Sequence, residues 1–193
     1  MSSSIRHVIL DRDGVLNAEP RDGGYVVDWA QWRWLPGALE SLALLGSKGV
    51  RISVATNQSC VGRGIVSREQ IDVVHARMLD EAAQAGATIG HVFVCPHAPE
   101  QGCDCRKPAP GLLLQALDAT GSARNATVVL GDDFRDLQAA ESAGIAAVLV
   151  RTGKGSLAEA AVAGTGVPIF DDIRAFTSAL LSHSVSLARS GTP

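Results

Sequence analysis

Residues 7–16, His7-Val8-Ile9-Leu10-Asp11-Arg12-Asp13-Gly14-Val15-Leu16, pass from unbroken hydrocarbon into two carboxylates and a glycine. Val8, Ile9 and Leu10 offer no polar face, so a strand here must be covered on both sides. That is the situation of a strand inside a parallel sheet flanked by helices. Where the strand ends, Asp11 and Asp13 cannot be buried as bare anions. Something cationic has to lie beside them, and a hard metal such as Mg²⁺ suits oxygen ligands. Taken alone, Asp11-Arg12-Asp13-Gly14 reads equally well as an acidic turn.

The rest of the chain alternates strand and helix signals. Pro36 sits at a helix start and Gly46 or Gly49 at its end, so "GALESLALLGSKG" reads as a helix. Strands are expected at Val50 to Ala55, His91 to Val94, Thr127 to Leu130 and Ala146 to Val150. Ser67 and Gln70 have the spacing of a capping box that opens a long helix reaching to about Gly86. Further helices are expected from Pro110 to near Gly121, over "GDDFRDLQAAESAG", in the alanine-rich stretch after "RTGKG", and from about Asp172, with a short extended "VPIF" between the last two. Strand and helix units without an internal linker predict an α/β, doubly wound (Rossmann-like) parallel sheet of about five strands. The 193 residues suit one domain, expected over 1–183, with a frayed tail at 184–193. Only 4% of residues are aromatic, so Ala, Val, Leu and Ile must fill the core. The long connection from Asn17 to Leu35 carries Trp29, Trp32 and Trp34, expected as a cluster packed between a lid and the core, or else as a pocket wall.

A net charge of −3 gives no basic footprint for nucleic acid or an anionic membrane. No stretch is apolar enough to span a bilayer, and the N-terminal residues lack a signal peptide's long apolar region. A cytoplasmic monomer is the expectation. Four cysteines in a reducing compartment are to be considered as metal ligands before disulfides. Cys95, His97, Cys103 and Cys105 place three thiolates and an imidazole within 11 residues, the complement for a closed tetrahedral zinc site. Such a site would rigidify a loop too short to build its own core and would fix the next two residues, Arg106 and Lys107. Cys60 stands apart as a buried small hydrophobe or a reactive thiol, while His75 and His91 read as structural rather than catalytic.

Ligands of doubly wound sheets bind beyond the carboxyl ends of the strands. The residues placed there are Asp11 and Asp13, Thr56 and Asn57, the loop from Cys95 to Lys107, Asp132 and Asp133, then Arg151 and Lys154. This collection suits phosphate chemistry. Asp11 can attack phosphorus once Mg²⁺ and a lysine such as Lys107 neutralise the phosphoryl charge. Asp13 could protonate a leaving alcohol and later draw a proton from water, and Thr56 could hold the transferring group in line.

Together these segments resemble the haloacid dehalogenase superfamily of phosphohydrolases. Asp11, Asp13, Gly14 and Val15 match its first motif, Thr56 its second, Lys107 its third, and Gly131, Asp132 and Asp136 its fourth. The resemblance implies an aspartyl-phosphate on Asp11, acid and base catalysis by Asp13, Mg²⁺ held by Asp11, the carbonyl of Asp13 and Asp132, and a central position for the first strand. "CPH…CDCRKP", "TNQS" and "LDRDG" narrow it to the zinc-loop phosphatases of heptose 1,7-bisphosphate and of histidinol phosphate, which lack a large cap domain. In that light Asn57, Gln58, Ser59, Arg63 and Arg106 are expected substrate contacts. D-glycero-D-manno-heptose 1,7-bisphosphate is the favoured substrate, because Arg63, Arg106, Arg151 and Lys154 suit a second phosphate, and loss of its 7-phosphate is expected because the primary ester can reach deep into the site. The cation on histidinol phosphate would instead call for carboxylates such as Glu19, Asp22 and Glu100. A phosphoacceptor signalling domain, a different class, would have no use for the second acid at Asp13 or for the zinc loop.

Overall fold

The computed structural model describes residues 5–20 and 23–182. Within them, six strands form one parallel sheet in the order β3-β2-β1-β4-β5-β6. These are β1 (His7–Leu10), β2 (Arg51–Asn57), β3 (His91–Cys95), β4 (Thr127–Gly131), β5 (Ala146–Val150) and β6 (Ile169–Phe170). The "VPIF" segment thus adds a two-residue edge strand to the five expected. β1 lies between β2 and β4, with Ile9 opposite both Ser53 and Val129. All four of its residues are buried, as the unbroken apolar run requires.

Alternation along β1 divides the core. Val8 and Leu10 join Leu42 and Leu45 of helix α1 (Ala38–Ser47), Val74 and Met78 of α3 (Arg68–Gln84) and Phe176 of α7 (Ile173–Leu181). Ile9 points the other way, into a layer with Leu112, Leu113 and Ala116 of α4 (Gly111–Thr120) and Ala139 and Ala140 of α5 (Phe134–Ala143). The capping box at the head of α3 forms in full, since Ser67 accepts from the Gln70 amide and Gln70 reaches back to Ser67. Two short helices lie outside the expected set or shrink it. α2 (Ser59–Gly62) follows β2, and the alanine-rich stretch after β5 forms only α6 (Gly155–Ala158) and a 3₁₀ turn.

Trp32 is buried, stacked on Trp29 at 5.1 Å and edge-on to Trp34 at 5.0 Å, so the tryptophans form the expected packed cluster. Trp34 also donates from Nε1 to Glu81 of α3 at 2.7 Å, tying the long connection to that helix. Among the described residues no inserted domain covers the carboxyl ends of the strands, and no helix is long and apolar enough to cross a membrane. The tail expected to fray lies outside the described residues.

His7 marks the opposite, amino end of β1. Its side chain is fully buried with Nε2 2.9 Å from the Ser53 hydroxyl. Burial, helped by the charges of Arg51 and His91, lowers its pKa from 6.5 to about 4. The unfolded chain therefore binds a proton that the folded chain refuses. Stability should be complete above pH 6.5 and decline as pH falls toward 4, by at most roughly 3 kcal/mol. Urea midpoints measured across this range should show a shallower acid slope in His7→Gln than in the native chain.

Candidate active site

The sheet delivers its polar residues to one cavity of about 340 Å³, lined by Asp11, Asp13, Thr56, Asn57, Lys107 and Asp132 among others. All of these but Lys107 lie at or just beyond the carboxyl end of a strand because the parallel ladders keep β1, β2 and β4 in register. At its floor, carboxylate oxygens of Asp11, Asp132 and Asp136 lie within 4.8 Å of one another. Lys107 reaches into this group from the loop after β3. Its Nζ lies 3.0 Å from Asp11 Oδ1 and 2.5 Å from Asp136 Oδ1, and donates to the Ala55 carbonyl at 2.8 Å. Burial works against the ammonium, but the two carboxylates outweigh it and raise its pKa.

One ammonium does not balance three acids. Burial pushes Asp11 up to about 7, with Lys107 opposing and Asp136 and Asp13 adding to the rise. Asp132 is pushed up to about 8 by burial and by Asp11 and Asp136. A hard divalent cation suits this deficit and these oxygen donors. Asp136 is already engaged, by Lys107 on one oxygen and by the Asp133 amide at 3.1 Å on the other. It anchors the lysine, which leaves Asp11 and Asp132 as the side chains able to hold a metal. Asp132 is itself held by the Lys154 amide at 2.8 Å, and lies against Gly14 and Gly153, where a Cβ would run into its carboxylate.

Asp13 has the opposite environment. Burial would raise it, but Arg12, Asn17 and Gln58 all donate to its carboxylate and its pKa falls. Arg12 Nη2 donates at 2.9 Å and Asn17 Nδ2 at 2.9 Å to Oδ1, and Gln58 Nε2 at 2.8 Å to Oδ2. Gln58 also donates to the Thr56 hydroxyl at 2.8 Å and is 1% exposed. The expectation that Gln58 touches substrate is therefore corrected. Both of its amide protons serve Asp13 and Thr56, because the chain turns into α2 at that point.

The cysteine loop converges as its spacing predicts, with all four chain cysteines as free thiols. Cys103 Sγ lies 3.7 Å from Cys95 Sγ and 3.5 Å from Cys105 Sγ, and His97 Nδ1 lies 3.6 Å from Cys95 Sγ and 3.3 Å from Cys105 Sγ. A tetrahedron with Zn–S bonds of about 2.3 Å has S···S edges of about 3.8 Å. Burial, with Cys95 and Cys103 adding, pushes the Cys105 thiol up to about 12, so three thiolates need a cation among them. The loop then leads into Arg106 and Lys107. Asn57 clamps the Lys107 backbone from both sides, donating to its carbonyl at 3.0 Å and accepting from its amide at 3.1 Å.

Around the mouth, Arg63 and Arg106 line the cavity, the latter donating to the His97 carbonyl at 3.3 Å. Lys154 is paired with Glu19 at 2.5 Å. Ser59 also lines the cavity, its hydroxyl 3.2 Å from that of Tyr25. Arg151, expected as a phosphate contact, is instead turned to Glu159 and Asp171 at 2.8 and 2.7 Å. The strand delivers its backbone to the active face while two nearby acids draw its side chain away. Glu19 lines the cavity, Glu100 does not, and Asp22 lies outside the described residues. Sequence reasoning missed the roles of Arg12, Asn17, Tyr25 and Arg135, of which Tyr25 and Arg135 also line the cavity. Arg12 was detectable in principle, since an arginine between two acids after a buried strand has little access to water.

Magnesium should bind the folded chain through this acid group. At a hundredfold excess over Kd the stabilisation is about 2.7 kcal/mol, or roughly 5–10 °C in Tm. Differential scanning fluorimetry should show that rise in the native chain and its loss in Asp132→Asn.

The HAD-hydrolase-like family model matches residues 104–176. The D-glycero-beta-D-manno-heptose-1,7-bisphosphate 7-phosphatase of Pseudomonas aeruginosa is 40% identical over 181 residues, 94% of this chain and 99% of that one. The D-glycero-alpha-D-manno-heptose-1,7-bisphosphate 7-phosphatase of Mycobacterium tuberculosis is 40% identical over 141 residues, 72% of this chain and 74% of that one. The crystal structure of D,D-heptose 1,7-bisphosphate phosphatase from B. bronchiseptica complexed with magnesium and phosphate superposes with a TM-score of 0.87 at 35% identity, covering 93% of this chain and 99% of that one. With its acids, lysine and thiol loop set out on that fold and nearly its full length matched, the chain belongs to the D,D-heptose 1,7-bisphosphate phosphatase family of HAD-like hydrolases.

Proposed function

We propose that this enzyme hydrolyses the 7-phosphate of D-glycero-D-manno-heptose 1,7-bisphosphate through an aspartyl-phosphate on Asp11, with residues 1–183 acting as one phosphatase domain. The observation that carries the reading is the placement of Asp11 in a buried acid group that lacks one cation, with Lys107 at 3.0 Å. The near full-length match to phosphatases of this substrate supports it.

Asp11, the Asp13 carbonyl and Asp132 would hold Mg²⁺, which when bound neutralises the acids and the substrate phosphate. A carboxylate oxygen of Asp11 attacks phosphorus as the bond from phosphorus to the C7 oxygen breaks. Asp13, having taken a proton from solvent as the substrate phosphate arrives, gives it to the departing alkoxide. Its three donors favour the anion at rest, and the arriving phosphate dianion raises its proton affinity. In the second half Asp13 takes a proton from water, the water oxygen attacks phosphorus, and inorganic phosphate leaves with Asp11 restored. Lys107 and the Thr56 hydroxyl steady the transferring group. Arg63 and Arg106 at the mouth suit the second phosphate better than they suit the cationic amine of histidinol phosphate, with Asn57 and Ser59 shaping the wall between.

Zinc at Cys95, His97, Cys103 and Cys105 is read as structural, since four protein ligands close the site. Reduced thiols of this kind suit a cytoplasmic enzyme, taken here as a monomer.

Phosphate release from both anomers of the bisphosphate and from histidinol phosphate, compared as kcat/KM, tests the substrate. The bisphosphate should be preferred, with ³¹P NMR showing that the 1-phosphate remains. Histidinol phosphate turned over as well as both anomers would reverse the assignment. Asp11→Asn should lose turnover by roughly a thousandfold or more while keeping its fold.

Elemental analysis should find one zinc per chain. Cys105→Ser should lower both zinc content and turnover through disorder of Arg106 and Lys107. Full activity in zinc-free protein would defeat the structural assignment.

A further inference from the structure

Behind Asp13 lie two buried polar side chains, Arg12, which donates to it, and His75, which has had no part in the chemistry above. Arg12 is fully buried between two acids, and His75, 4% exposed, points inward from α3. Their nitrogens, Arg12 Nη1 and His75 Nε2, lie 3.0 Å apart. A guanidinium accepts nothing, so Nη1 donates and His75 Nε2 is the unprotonated ring nitrogen. Burial and the Arg12 charge push the His75 pKa down to about 3, in keeping with a neutral ring. The guanidinium donates to Asp13 Oδ1 from Nη2 at 2.9 Å and Nε at 3.3 Å, and to the Val26 carbonyl from Nη2 at 3.4 Å. Its Cζ lies 5.8 Å from the centroid of the Trp32 ring.

We propose that His75 is a positioning residue for the Asp13 carboxylate, acting through Arg12. The imidazole accepts the guanidinium edge that faces α3, which sets the rotation at which the opposite edge meets Oδ1. Asp13 is held by Asn17 and Gln58 as well, but of its three side-chain donors Arg12 is the one that reaches α3, through His75. The proposal rests on the reading of Asp13 as acid and base. A histidine that merely filled the core would affect every substrate alike.

Leaving-group dependence separates the two. kcat/KM reports the first phosphoryl transfer, in which a sugar alkoxide needs a proton and p-nitrophenolate does not. His75→Leu should lose roughly tenfold or more with the heptose bisphosphate, a part of the 10²–10⁴ that acid–base catalysis supplies, and about twofold or less with p-nitrophenyl phosphate. His75→Gln, whose Oε1 takes the place of Nε2 as acceptor, should recover most of the loss. Asp13→Asn is the reference. Equal losses on both esters in Asp13→Asn would overturn the acid–base reading itself. Selective loss in Asp13→Asn with none in folded His75→Leu, or no recovery in His75→Gln, would overturn the positioning role alone. Should His75→Leu fail to fold, His75→Asn, whose shorter side chain withdraws the acceptor, carries the same comparison.

Discussion

The structure depends on a charge imbalance at the carboxyl end of its central strands. Asp11, Asp132 and Asp136 converge on one ammonium, and burial makes their repulsion expensive. The surroundings serve that point. The cysteine loop carries Lys107 to it, Asn57 clamps the lysine's backbone, and Ala55 at the end of β2 accepts from its ammonium. A parallel sheet is what makes such convergence possible, because every strand ends on the same side. A cavity two positive charges short is prepared for a divalent cation, and through that cation for a phosphate.

Two acids separated by a single residue acquire opposite characters. Asp11 is pushed up to about 7, chiefly by burial among other acids, while Asp13 is held low by the buried guanidinium and two amides despite its own burial. Side-chain environment rather than residue type thus sets the two carboxylates apart. Arg12 stands between them in sequence and divides its hydrogen bonds: its backbone amide donates to Asp11 Oδ1 at 2.6 Å, while its side chain turns to Asp13, α3 and Trp32.

The features legible in the sequence were those written in local pattern. β1 announced its burial through three successive aliphatic residues, Ser67 and Gln70 announced the start of α3, and the cysteine spacing announced a tetrahedral cluster. Contacts between distant positions left no such trace. Arg12 and His75 are 63 positions apart and each is of a type usually found on the surface, so nothing local marks them as partners. Gln58 belongs to a polar loop by composition, yet the turn into α2 folds it beneath the cavity. Arg151 misled for the reverse reason, because its position on the active face was right and its side chain answers to Glu159 and Asp171. The sixth strand is two residues long, too short for any periodicity to show.

The inner wall around Asp132 has a consequence for how such an enzyme can change over generations. Gly14 and Gly153 both have positive φ, 82° and 57°, and at both a single added carbon would strike the carboxylate. Conformation and volume close these two positions to drift independently of each other. Arg63 and Arg106 stand at the entrance, where neither side chain bonds to the acid group. Divergence toward another phosphorylated substrate is therefore channelled to the entrance, and a lineage can acquire a new specificity while inheriting its reaction centre intact.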